Sequence, residues 1–96
     1  MAEVRLIARV AAREGKGEEL KALLAGMVAP TRAEAGCRFY ELFASSIPGQ
    51  FYFNELWESQ AHLDAHMATP HFTEIFGKAK ELMAGAAELN FLTEVQ

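Results

Sequence analysis

The fold predicted by these 96 residues is an α+β sandwich of the ferredoxin-like, split βαβ kind. Three observations predict it. Segments of period-two hydropathy alternate with segments of helical apolar spacing in the order β-α-β-β-α-α-β. The chain, residues 1–96, is short enough to be a single domain. Its 51% apolar and 23% charged residues match an ordinary globular protein and exclude disordered and low-complexity classes.

Residues 4–10 place Val4, Leu6, Ala8 and Val10 on one face and Arg5, Ile7 and Arg9 on the other, the alternation of a strand. Arg13-Glu14-Gly15-Lys16-Gly17 breaks it as a loop. From Glu18 the period lengthens, with Leu20, Leu23, Leu24, Met27 and Val28 along one side of a helix. Pro30 should kink or end that helix, with Gly36 as the final stop. Residues 37–44 and 51–58 read as two aromatic-rich strands joined by a loop with Pro48-Gly49 at its tip. Ser59 is an N-cap for a short helix over 60–67, and Thr69-Pro70 are N-cap and first residue of the next. Along this last helix Phe72, Ile75, Phe76, Ala79, Leu82 and Met83 share a side. Gly85 ends it, and residues 89–95 read as the last strand.

Such a sheet carries its helices on one face only. Phe39, Tyr40, Phe43, Phe51, Tyr52 and Phe53 leave neither face of the central hairpin plainly polar, so pairing of two sheets in a homodimer is expected. Nine basic against thirteen acidic residues, net charge −4, argue against a nucleic-acid binder. No apolar run approaches the roughly 20 residues of a membrane span, and the N-terminal residues lack the pattern of a secretory signal. The single cysteine, Cys37, suits a reducing interior, so a cytoplasmic location is expected. It reads as a small buried hydrophobe rather than a nucleophile. Arg5 and Arg9 read as partners in interface salt bridges. No Gly-rich phosphate loop, Ser-His-Asp ordering or paired-cysteine motif is present.

The candidate chemistry lies between Asn54 and Phe72, which hold all three histidines and the only tryptophan. His62 and His66 are four apart on one helix face, and His71 follows across the turn. A metal site from His62, His66, His71 and Asp64 is conceivable, but HExxH and paired cysteines are absent, so no metal is expected. One imidazole in a pocket suffices for general acid–base work, because its pKa lies near neutrality. The same histidines also fit plain surface and capping positions. Trp57 could close one side of a pocket or simply pack in the core, sharing a strand face with Glu55, Phe53 and Phe51. Asn54 and Tyr52 face the other way.

The stretch Glu55-x-Trp57-Glu58-Ser59-x-x-x-Leu63-x-x-His66-x-x-Thr69-Pro70-His71 resembles the signature of the antibiotic biosynthesis monooxygenase family, especially its small quinol-monooxygenase-like members. Glu34-x-Gly36-Cys37-x-x-Tyr40-x-Leu42 resembles the same family's entry into its second strand. The resemblance covers essentially the whole chain. It implies a homodimeric α+β barrel, with a pocket between sheet and helices in each subunit. It implies oxidation of a small quinol or phenolic aromatic by molecular oxygen, without cofactor. His66 would be the acid–base residue, with Trp57 and Asn54 shaping and orienting the ring and His62, His71, Phe53 and Phe76 as further substrate contacts.

Departures narrow that transfer. Polyketide-oxidising members carry an Asn four residues before the Trp, where Phe53 stands here, and a Tyr six after it, where Leu63 stands. The heme-degrading branch has Trp at the place of His66 and an iron-binding His at the place of Phe76. Isomerisation of a small phosphorylated dione, and a non-catalytic module that binds a hydrophobic metabolite, are the alternatives. The first should proceed without oxygen, and the second should bind without turnover.

Overall fold

A computed structural model describes residues 2–96. Four strands form one antiparallel sheet: β1 (Val4–Ala11), β2 (Cys37–Ala44), β3 (Gln50–Trp57) and β4 (Glu88–Leu92), in the order β2-β3-β1-β4. The helices α1 (Gly17–Ala25), α2 (Val28–Arg32), α3 (Gln60–Met67) and α4 (Pro70–Ala79) belong to its inner side, and a 3₁₀ turn, Lys80–Leu82, extends α4. β1 and β2 flank β3, so the α1–α2 connection steps over one strand, which is the split βαβ arrangement expected.

Alternation decides the faces. On β1, Leu6, Ala8 and Val10 are buried; on β3, Phe51, Phe53, Glu55 and Trp57 are. Against them pack Leu20 and Leu24 of α1, Met27, Leu63 of α3 and Ala79 of α4. The outer face carries Ile7, Arg9, Glu41, Tyr52, Asn54 and Leu56, which pair across the strands and face no helix.

Three local features depart from what the sequence predicts. The break between α1 and α2 falls at Gly26-Met27, ahead of Pro30, where the amides of both residues turn to the carbonyls three residues back. Pro30 sits in the first turn of α2, whose amides have no helical acceptor in any case, so its missing N–H costs nothing there. In β2 the register shifts between Cys37 and Phe39, so Cys37 opposes Trp57 while Phe39 opposes Leu56. This bulge inserts Arg38 and brings Cys37 onto the same inner side as Tyr40, against strict alternation. β4 is also shorter than expected: its pairing ends at Leu92 opposite Arg5, near the start of β1.

Gly36 ends the turn from α2 into β2 with φ +79°, and a Cβ there would run into the His62 ring. Both facts require glycine. Arg9 bonds Glu88 of β4 at 3.0 Å and Gln50 of β3 at 3.2 Å, while Arg5 lies over the Phe39 ring. These two cations have partners within the chain. Among the described residues, no helix is long and apolar enough to cross a membrane.

Candidate active site

The sequence places two imidazoles on one carboxylate through a pair of helix caps. Ser59 caps α3, its Oγ accepting from His62 N–H at 3.3 Å. Thr69 caps α4, its Oγ1 accepting from Phe72 N–H at 3.3 Å and donating to the His66 carbonyl at 2.7 Å. That hydroxyl joins the last turn of α3, which carries His66, to the first turn of α4, which carries His71. Glu34 lies in the turn before β2, and its Oε2 meets His66 Nδ1 at 2.9 Å and His71 Nε2 at 2.7 Å.

A carboxylate can only accept, so both facing nitrogens carry hydrogen. For His66 this fixes the tautomer: Nδ1–H points to Glu34 and Nε2 keeps its lone pair. The ring is 2% exposed, against Trp57 at 4.7 Å, Phe72 at 5.0 Å and Tyr40 at 5.6 Å between centroids. Burial pushes its pKa below the ordinary value, and the Glu34 hydrogen bond and charge oppose that shift without cancelling it. His66 is thus a neutral imidazole at neutral pH, the form a general base needs. Below the ordinary histidine pKa the unfolded chain binds a proton that the buried imidazole resists, so stability falls as pH drops through that window.

His66 borders a cavity of about 70 Å³ between the sheet and α3–α4. Its walls are mainly apolar: Leu6, Ala8 and Val10 of β1, Phe53 of β3, Leu63 and Met67 of α3, Phe72 and Phe76 of α4. Ala87, Leu89 and Phe91 complete it, and the last two are more than half exposed. The polar groups facing it are Tyr40, Glu55 and His66. Glu55 is 5% exposed, and its Oε1 accepts from Trp57 Nε1–H at 2.9 Å. Burial raises its pKa to about 7, against the lowering effect of the indole hydrogen bond. Burial likewise raises that of Tyr40, which stays a phenol. A larger groove of about 550 Å³ between α1 and the end of α4 is open and lined by Glu19, Lys78 and Glu81, with no imidazole.

Of the residues singled out by sequence, His66, Phe53 and Phe76 border the cavity, whereas His71 does not and is joined to His66 only through Glu34. Trp57 lies behind His66 as its stacking partner and as the donor to Glu55, rather than bordering the cavity. Asn54 is on the outer face, donating to Glu41 at 3.1 Å, because it alternates with the inward Phe53 and Glu55. His62 bonds Ser59 Oγ through Nδ1 at 2.8 Å and packs by Gly36, outside the cavity. Asp64 bonds Gln60 on the surface. Among the described residues, the group most able to hold an ion is instead Glu34, His66 and His71, whose three donor atoms lie within 4.8 Å of one another. Cys37 is half-buried, with its thiol pushed up by burial and then by Glu34, which suits an unreactive side chain. Sequence reasoning gave no role to Glu34 or Glu55. For Glu55 a signal existed: a carboxylate on the strand face otherwise made of Phe51, Phe53 and Trp57.

Replacing Glu34 with Ala removes both influences that raise the His66 pKa and leaves a buried N–H unpaired. The imidazole, followed by ¹⁵N NMR, should then titrate at lower pH than in the native chain, with a loss of about 1–3 kcal/mol of stability. Titration unchanged or moved upward would refute the hydrogen bond between Glu34 and His66.

The chain is a small α+β domain in which a buried imidazole, hydrogen-bonded to a carboxylate, lines an aromatic-walled cavity. The family profile described as antibiotic biosynthesis monooxygenase matches residues 3–78, and the chain belongs to that family. Rv0793 of Mycobacterium tuberculosis, whose name provisionally assigns it to the monooxygenases, is 39% identical over 80 residues, covering 83% of this chain and 79% of that protein. Its solved structure superposes with a TM-score of 0.91 over 99% of this chain and 97% of its own. PA3566 of Pseudomonas aeruginosa gives 0.92 at 32% identity, over 100% and 97%. The sll1783 protein of Synechocystis is 37% identical over 75 residues, and the chain spans about half, 51%, of its length.

Proposed function

We propose that this chain is a monooxygenase that oxidises a small quinol or phenol with molecular oxygen, drawing the electrons from the substrate and using neither flavin nor metal. The observation that carries this reading is the buried, neutral His66, with Nδ1–H held by Glu34 and Nε2 free at an apolar cavity. Deprotonating a phenol there yields an electron-rich anion shielded from water, the species that gives electrons to oxygen.

The cavity size supports a small substrate. Drug-sized ligands occupy pockets of roughly 300–1,000 Å³, whereas this one is about 70 Å³ and suits one ring flanked by Phe53, Phe72 and Phe76. Exposed Leu89 and Phe91 on the edge strand β4 form its mouth. The chain acts as a cytoplasmic homodimer, in which Phe43 and Leu92, both over 40% exposed on the outer sheet face, are covered by a second copy.

The test is oxygen uptake with a panel of single-ring quinols, together with transfer of ¹⁸O from ¹⁸O₂ into the product. Uptake with one labelled oxygen per product is expected. A second reading, isomerisation of a small dione, has one observation in its favour, a carboxyl and an imidazole facing one cavity. Turnover under argon would select it over oxygenation.

A further inference from the structure

The family resemblance and the proposed reaction give Glu55 no task, yet its carboxyl is one of only three polar side chains at the cavity. We propose that Glu55 is a second catalytic residue, which protonates the peroxide formed when the substrate anion adds oxygen and then removes the ring hydrogen at that carbon. This rests on the monooxygenase reading above.

Geometry carries the assignment. Glu55 faces the same small cavity as His66, so a single ring in it reaches both groups. The Trp57 indole N–H holds Oε1, which leaves Oε2 to carry a proton toward a ligand. The groups around the carboxyl add no cation: they are the Trp57 N–H, the Tyr40 phenol from β2, the neutral His66 from α3 and, farther off, Glu34 before β2. Its raised pKa, about 7, fits a carboxyl that both gives and takes a proton at neutral pH.

The steps balance for a 1,4-quinol. His66 takes the proton of one hydroxyl. The anion passes electrons to oxygen in one-electron steps, and a C–O bond forms at the adjacent carbon, giving a ring ketone and a peroxide anion. Glu55 protonates that peroxide. The carboxylate then takes the hydrogen of the same carbon as the O–O bond breaks, the carbon becomes a carbonyl, and hydroxide leaves to collect the proton from His66 as water. Tautomerisation gives the hydroxyquinone. The substrate loses four electrons, oxygen gains four, and both side chains return to their starting protonation.

Without the carboxyl, the peroxide has another exit: it leaves as hydrogen peroxide and the ring departs as the simple quinone. In Glu55→Gln, which keeps size and polarity, hydrogen peroxide should rise from a trace to most of the oxygen consumed. Formation of hydroxyquinone should fall at least tenfold in kcat, with KM within about threefold. Glu55→Asp, which restores a carboxyl, should recover part of the coupling. Trp57 emission, from the only tryptophan, confirms that each variant is folded. A Glu55→Gln protein with native product ratio and native kcat overturns the assignment, as does an Asp variant no better coupled than Gln. A native protein that consumes no oxygen with any quinol overturns the underlying reading instead.

Discussion

His66→Ala is expected to lower kcat/KM for quinol oxidation by about 10²–10⁴-fold, the range a positioned proton acceptor contributes. The effect should lie mainly in kcat, because the aromatic walls that bind the ring are untouched. The native profile should show activity falling on the acid side, with a midpoint below the ordinary histidine pKa, since burial disfavours the imidazolium. In the Ala variant that acid limb should vanish. His66→Asn, which keeps a polar side chain at Glu34 but no base, should lose as much. A rate within threefold of native in either variant would mean that another group takes the proton. His71→Ala should be milder, because His71 touches Glu34 rather than the cavity.

Trp57→Ala should be the most damaging single change to the fold, at about 3–5 kcal/mol by denaturant unfolding. The indole is fully buried, so its loss empties space beneath His66, and its N–H is the donor that holds Glu55. Trp57→Phe separates the two roles. It keeps the ring and should cost much less, but it removes the hydrogen bond that lowers the Glu55 pKa, which should then rise above about 7. For Glu55 the sign is the reverse of that for His66. The folded chain holds a proton there that the unfolded chain releases at about 4.3, so stability from this carboxyl is present at low pH and is lost as pH climbs to about 7. Trp57→Phe should therefore lose stability over a window reaching to higher pH than the native chain. An unchanged window would mean that the indole does not act on the carboxyl.

Much of this architecture was legible because the inner faces of β1 and β3 follow strict alternation, and because Ser59 and Thr69-Pro70 are unambiguous helix starts. On β2 the alternation itself is broken, since one inserted residue, Arg38, moves Cys37 to the face of Tyr40; nothing in the local sequence marks that bulge. The helix break was legible in kind but not in place, since Pro30 is harmless in a first turn and Gly26-Met27 carries the bend. Of the candidate site, the choice of His66 follows from the resemblance to the family motif. Its orientation does not, because Glu34 is 32 residues away in sequence and meets His66 only through the packing of α2 and β2 beside α3. Asn54 shows the opposite case: a polar residue within the motif, whose own parity already pointed it at the outer face.

The most direct measurement is a crystal structure with a phenol that oxygen cannot oxidise, such as a fluorinated analogue of a turned-over quinol. The ring should lie between Phe53, Phe72 and Phe76, with its hydroxyl oxygen about 3 Å from His66 Nε2. A ring seated in the open groove between α1 and α4, or in the chamber but out of reach of that nitrogen, would contradict the account.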